Sequence, residues 1–118
     1  MEPDGVERTC LHCALLRALR AESPALERQG IDVVVGRSDA VWLPVSGTRI
    51  YRGIRRLLHE ATSSAAGRRV RITVVDLVGK PHVDVMATVL DPSRARVFRV
   101  GFARVVGGRL PSGFAETV

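Results

Sequence analysis

Arg49-Ile50-Tyr51-Arg52-Gly53-Ile54-Arg55-Arg56-Leu57-Leu58-His59-Glu60-Ala61 decides the fold. Its apolar side chains, Ile50, Ile54, Leu57, Leu58 and Ala61, are spaced by four, three, one and three, which gathers them into one stripe at 3.6 residues per turn. Arg49, Arg52, Arg55, Arg56, His59 and Glu60 fall on the opposite face. Ser46 or Thr48 can cap the start, and Gly67 can supply a left-handed residue past the end. The stretch therefore predicts an amphipathic helix with one apolar face to bury.

What it covers follows directly. Val70, Ile72 and Val74 alternate with Arg71, Thr73 and Val75. Val78-Gly79-Lys80-Pro81 then reads as a turn, and Val83, Val85, Ala87 and Val89 resume the alternation. Period-two patterning on both sides of a glycine-containing loop predicts a hairpin with one buried face, and the arginine-faced helix is its natural cover. Upstream, the stretch that begins at Ala25 reads as carrying one strand before the helix. Downstream, a further helix is placed at Ala95 to Val106.

The N-terminal segment from Val6 to Ala21 also reads as a helix. Val6, Cys10, Cys13, Leu16 and Leu19 suggest its stripe, with Leu11 and Leu15 widening it. Pro24 interrupts; Ser23-Pro24 suits a restart through Ala25 to Gln29, with a stop at Gly30. A helix this apolar either folds back onto the domain or forms a dimer seam. The organisation expected is a helical arm over residues 1–24 and a domain over residues 25–118.

With 118 residues, 46% of them hydrophobic and 25% charged, the chain suits one globular core. No apolar run approaches the ~18 residues of a membrane helix, and Met1-Glu2-Pro3-Asp4 lacks the basic and apolar regions of a signal peptide, so a cytoplasmic location is expected. The net charge of +6 raises nucleic acid as a partner. Against it, Lys80 is the only lysine and the arginines are spread from Arg8 to Arg109. The densest cluster, Arg49 to Arg56, has only Tyr51 interleaved, so a solvated face is the better reading.

Cys10-Leu11-His12-Cys13 admits three readings. As a zinc site it offers Cys10, Cys13 and His12, leaving His59 or His82 to supply a fourth ligand. As a redox pair it should follow a strand and open a helix, and no strand is predicted before it. As two small buried hydrophobes it needs only a helical segment, which puts both cysteines on one face. Elsewhere, His59 and Glu60 adjoin but point about 100 degrees apart. No nucleophile elbow, H-E-x-x-H, phosphate loop or G-x-G-x-x-G pattern occurs, which removes the support for hydrolase chemistry.

The order of these segments resembles the ATPase domain of histidine kinases, of GHKL type. Ala25-Leu26-Glu27-Arg28-Gln29-Gly30-Ile31 is similar to that family's A-x-E-R-G-I join before its first strand. Val41-Trp42-Leu43-Pro44 through Arg49-Ile50 resembles the strand and D-x-x-R-L helix entry. Arg56-Leu57-Leu58-His59-Glu60-Ala61 resembles the N box, N-L-L-x-N-A, and the hairpin to Asp91 falls where the family has R-V-x-V-x-V and V-x-V-x-V-x-D. Val105 to Leu110 with Gly113-Phe114 is similar to the terminal I-V-x-x-H-G-G-x-L and G-T-x-F. The resemblance implies an α+β, two-layer sandwich whose mostly antiparallel sheet is covered on one face by helices.

It also implies where a nucleotide site would lie, and the residues there depart from the pattern. Arg56 replaces the first N-box asparagine, and Glu60 the asparagine that helps hold magnesium. Glutamate can ligate magnesium and arginine cannot. Asp91, in the place of the adenine-binding aspartate, is followed by Pro92-Ser93-Arg94 instead of the D-x-G-x-G glycines. Val97 to Phe102 keeps one glycine of the second glycine box, and no long lid fits after Asp91. No H-E-x-x-x-P phosphoacceptor pattern is present.

Three functions are expected from different classes. One is a degenerate, non-enzymatic pseudokinase domain that binds a kinase, a response regulator or its own copy and takes no cofactor. Another is a minimal ATP- and magnesium-binding domain using Glu60, Asp91, Arg52 and Arg56, the arginines donating to phosphates. The third is a metal- or redox-sensing arm built on Cys10, His12 and Cys13.

Overall fold

The computed structural model describes residues 8–63, 69–90 and 95–104. In chain order its elements are β1 (Thr9–Cys10), α1 (Leu11–Arg28), β2 (Asp32–Val35), β3 (Trp42–Leu43), α2 (Gly47–Thr62), β4 (Arg69–Val75), β5 (His82–Leu90) and β6 (Arg96–Ala103). Gly67, Asp91, Val6 and the motifs read at 105–114 lie outside the described residues.

Ser46 begins α2 as its N-cap: its hydroxyl accepts from the Arg49 backbone N–H at 3.2 Å, satisfying one of the donors a helix start leaves open. The predicted stripe is the buried face, with Ile50, Ile54, Leu57, Leu58 and Ala61 all at or below 2% exposure. It seats on β5 and β6. Burial of each large aliphatic contributes about 1.5–3 kcal/mol, which is why this face sets the layer.

The hairpin holds as read. β4 and β5 pair antiparallel from Arg69 opposite Leu90 to Val75 opposite Asp84, and β5 buries Val83, Val85, Ala87 and Val89 on alternate positions. Gly79, at φ +85, provides the left-handed turn residue. The four-stranded sheet runs β2-β4-β5-β6, with β2 parallel to β4 and the other pairs antiparallel; β1 and β3 form a separate two-stranded ribbon. This is an α+β fold, with two helices on a mostly antiparallel sheet.

Two sequence expectations are corrected. Residues 96–103 form strand β6, not a helix over 95–106. Phe98, Val100 and Phe102 recur at every second position and stand opposite Ala87, Val85 and Val83, so they extend the buried face of β5 and satisfy its otherwise open edge. Val89 of β5 already stands opposite Arg96 of β6, so only six residues, 90–95, separate that pair in the sequence.

The second correction concerns α1, which does not break at Pro24. It runs unbroken from Leu11 to Arg28 with Pro24 inside it, and ends where Gly30 takes φ 69. Its buried stripe is Leu11, Ala14, Leu15, Ala18, Glu22 and Leu26, about one position round from the stripe expected; Cys13 and Leu16 are exposed. Apolar residues nearly encircle this helix between positions 10 and 19, so periodicity alone left its phase open. α1 folds back onto α2. No helix among the described residues is long and apolar enough to cross a membrane.

Pro24 lies on the exposed side of α1 and leaves the Arg20 carbonyl without its helical donor. Pro24→Ala should therefore raise stability by about 1–3 kcal/mol in chemical denaturation. An unchanged or lower midpoint would show that the proline's local geometry is needed to seat Glu22 and Leu26.

Candidate functional site

α1 and α2 lie side by side, and one acidic residue joins them. Glu22 sits on the buried stripe of α1 at 8% exposure, where a carboxylate must find partners. Arg55 of α2 supplies both Nε and Nη2, each 2.7 Å from Oε2, and His59 places Nε2 3.1 Å from Oε1. Burial alone pushes the Glu22 carboxyl up. Hydrogen bonds from Arg55 and His59, with their charges, more than reverse this and hold it below the usual carboxylate range. The Arg55 guanidinium is raised in turn, chiefly by its hydrogen bond to Glu22.

Beside this junction runs a groove of about 640 Å³, lined by Arg17 of α1 and by Thr48, Tyr51, Arg52, Arg55, Arg56 and His59 along α2. Two guanidinium groups approach the Tyr51 ring, Arg17 at 5.7 Å and Arg55 at 5.6 Å from its centroid, within the range of cation–π attraction. Arg55 is committed to Glu22. Arg56 pairs with Glu60 one turn on, at 3.8 Å. Arg52 has no ion-pair partner among the described residues. The groove thus presents positive charge beside an aromatic face, an arrangement suited to carboxylates or phosphates.

The residues suggested for a vestigial nucleotide site are only partly brought together. Arg52 and Arg56 line the groove, whereas Glu60 does not and instead faces Arg56. Asp91 lies outside the described residues. Arg17, Tyr51, Arg55 and Glu22 were not singled out from sequence. Glu22 had a signal: it follows Leu11, Leu15 and Ala18 at the three- and four-residue steps that define one face.

The cysteine segment lies at the start of α1. Cys10 and Cys13 are both free thiols, and the Cys10 sulfur accepts from the Cys13 N–H at 3.2 Å. Cys10 itself closes a strand, β1, where no strand was expected; its two residues are held by β3, which is why no alternation announced it. His12 lines a separate hollow with Leu16, Val35 and residues 36–39. Its Nδ1 is buried without a hydrogen-bond partner. Among the described residues no group of three or more His, Cys, Asp or Glu side chains converges as a metal site.

No protein-family model matches the chain, and no curated protein matches it in sequence. Solved structures do match. The nucleotide-free catalytic domain of histidine kinase ThkA superimposes with a TM-score of 0.64 at 16% identity, covering 74% of this chain and 60% of that one. The mycobacterial sensor histidine kinase MprB gives 0.59 at 18%, covering 74% and 56%. The cytoplasmic segment of histidine kinase QseC gives 0.56 at 16%, covering 78% and 58%. ThkA is also known in complex with the response regulator TrrA. The fold is that of histidine-kinase catalytic domains, and the chain spans less than two thirds of each of these structures.

Replacing Glu22 by Gln removes a buried charge from Arg55 and His59. Because both partners are partly solvent-exposed, the loss at neutral pH should be about 1–2 kcal/mol by denaturant unfolding. A carboxyl whose folded pKa is depressed contributes stability above its unfolded value, near about 4.3, and loses it as pH falls through the folded value. The gap between wild type and Glu22→Gln should therefore close as pH drops below about 4.3. A gap independent of pH would show that shape, not charge, holds the helices together.

Proposed function

We propose that this chain is a non-catalytic histidine-kinase-like domain, a pseudokinase module that works by protein contact in two-component-type signalling in the cytoplasm. The observation that carries this reading is the short sequence separation between paired residues of β5 and β6. With Val89 already opposite Arg96, residues 90–95 hold no segment long enough to close over a nucleotide, where the ATPase domains it resembles carry their lid. Two features of α2 agree. Glu60, in the magnesium-binding place, is turned to Arg56, and the groove beside it is dominated by arginine.

A protein partner is drawn to such a face by carboxylates that meet Arg17 and Arg52. Regulators of the kind seen with ThkA, a kinase, or a second copy of this chain are the classes in view. Electrostatic attraction of this type acts mainly on association rate and weakens with salt.

One observation favours a second reading. A groove of this size with arginine donors and the Tyr51 face has elements of a phosphate and base site, so a minimal nucleotide-binding domain is the alternative.

Magnesium-ATP separates the two. On the leading reading it leaves the melting temperature unchanged even at millimolar concentration, since a ligand stabilises only in proportion to its occupancy of the folded state. A concentration-dependent rise, abolished by Arg52→Ala, would overturn the leading reading and establish the alternative.

A further inference from the structure

Cys10 is at once the last residue of β1 and the N-cap of α1, with φ −73 and ψ 112. Cys13 is the third residue of that helix. Helix geometry puts Cα atoms three residues apart at about 5 Å, inside the range a disulfide spans without backbone movement. The two residues already interact. The Cys13 N–H points at the Cys10 sulfur at 3.2 Å. The Cys13 thiol is also hydrogen-bonded to Cys10, and this contact is the main cause raising its pKa above the ordinary cysteine value, with burial and the Cys10 charge adding to it. The Cys10 sulfur thus sits at the cap of α1, facing a backbone N–H, while Cys13 stands on the exposed first turn, which gives the two sulfurs different places.

Access is open on the same side. Cys13 is exposed and Cys10 half-exposed. Cys10 pairs directly with Trp42 across the ribbon, and opposite residues of an antiparallel pair point to one face. Trp42, the chain's single tryptophan, is 57% exposed, and Leu16, one turn beyond Cys13, is 46% exposed. Exposed apolar side chains thus flank two free thiols three residues apart.

We propose that Cys10 and Cys13 form a dithiol site that exchanges with an external disulfide, Cys10 attacking and Cys13 resolving. The Cys10 thiolate attacks one sulfur of the disulfide; that S–S bond breaks, and the departing thiolate takes up a proton. Cys13 then gives up its proton and attacks the Cys10 sulfur, forming the Cys10–Cys13 bond and releasing the second thiol. The chain loses two protons and two electrons, and the external disulfide gains both.

The test treats the full chain with oxidised glutathione and, in parallel, with a disulfide-bonded reporter protein, followed by intact mass and alkylation after denaturation. The wild type should lose two hydrogens and both alkylatable thiols together, with a change in Trp42 fluorescence. Cys13→Ser should stop at a stable mixed disulfide on Cys10. Cys10→Ser should react far more slowly, and it keeps its helix cap because serine is a preferred N-cap residue. The faster of the two oxidants tells a small-molecule disulfide from a polypeptide one. Thiols that stay fully alkylatable, or adducts on both cysteines without an internal bond, would overturn the proposal.

Discussion

α2 has two obligations, and the rest of the fold is arranged around them. Its stripe from Ile50 to Ala61 must leave water, and only the face of β5 and β6 offers a surface of matching width. Once it is seated there, its flank meets α1, whose own stripe carries Glu22 into the contact. The apolar side chains supply most of the free energy, since burial of each is worth more than an exposed ion pair. The carboxylate supplies direction, because leaving Glu22 in the interface unpaired would cost more than either helix gains locally. Arg55 and His59, one turn apart on α2, fix where along it α1 can lie.

Elements with one buried face were the legible ones. α2 and the β4–β5 hairpin each show an unambiguous period, and their caps and turn, Ser46 and Gly79, sit where the chemistry requires them. α1 was legible as a helix but not in its phase, because leucines, alanines and cysteines surround it and only contact with α2 selects among them. Pro24 looked decisive and was not; tertiary burial of Leu26 on one side and Ala18 on the other outweighs one missing hydrogen bond. β6 was misread because Ala95 to Val106 has helix-compatible residues and its alternation, Phe98, Val100 and Phe102 about Arg99 and Gly101, is short and preceded by Arg96 and Val97 in the opposite phase. The edge of β5, invisible in the local sequence, decides it.

The candidate site divides in the same way. That Arg52 and Arg56 share a face with each other was readable from their spacing, and both line the groove. That Arg56 would turn to Glu60, and Arg55 to a residue 33 positions earlier, depended on packing between helices. Sequence pattern therefore carried the architecture further than the chemistry. A stripe survives many substitutions of similar size, whereas a nucleotide site changes character with one charge.

The dithiol and the groove are not separate regions. Cys13 and Arg17 occupy successive turns on one side of α1. β1 is bound to the entrance of α2 by the Thr9 hydroxyl, which donates to the Val45 carbonyl at 2.7 Å, while Thr9 also approaches Gly47. A bond between Cys10 and Cys13 would close a loop of only four residues, and in the chain-entropy account this restrains the unfolded state by about 2 kcal/mol, against about 4.7 for a hundred-residue loop. Such a bond is therefore a weak structural staple. What it changes is the cap of α1, since the Cys10 sulfur that accepts from the Cys13 N–H becomes one half of a disulfide at the start of the helix. The effect is confined to the first turn of α1, and Arg17, the groove residue on that helix, lies one turn beyond it.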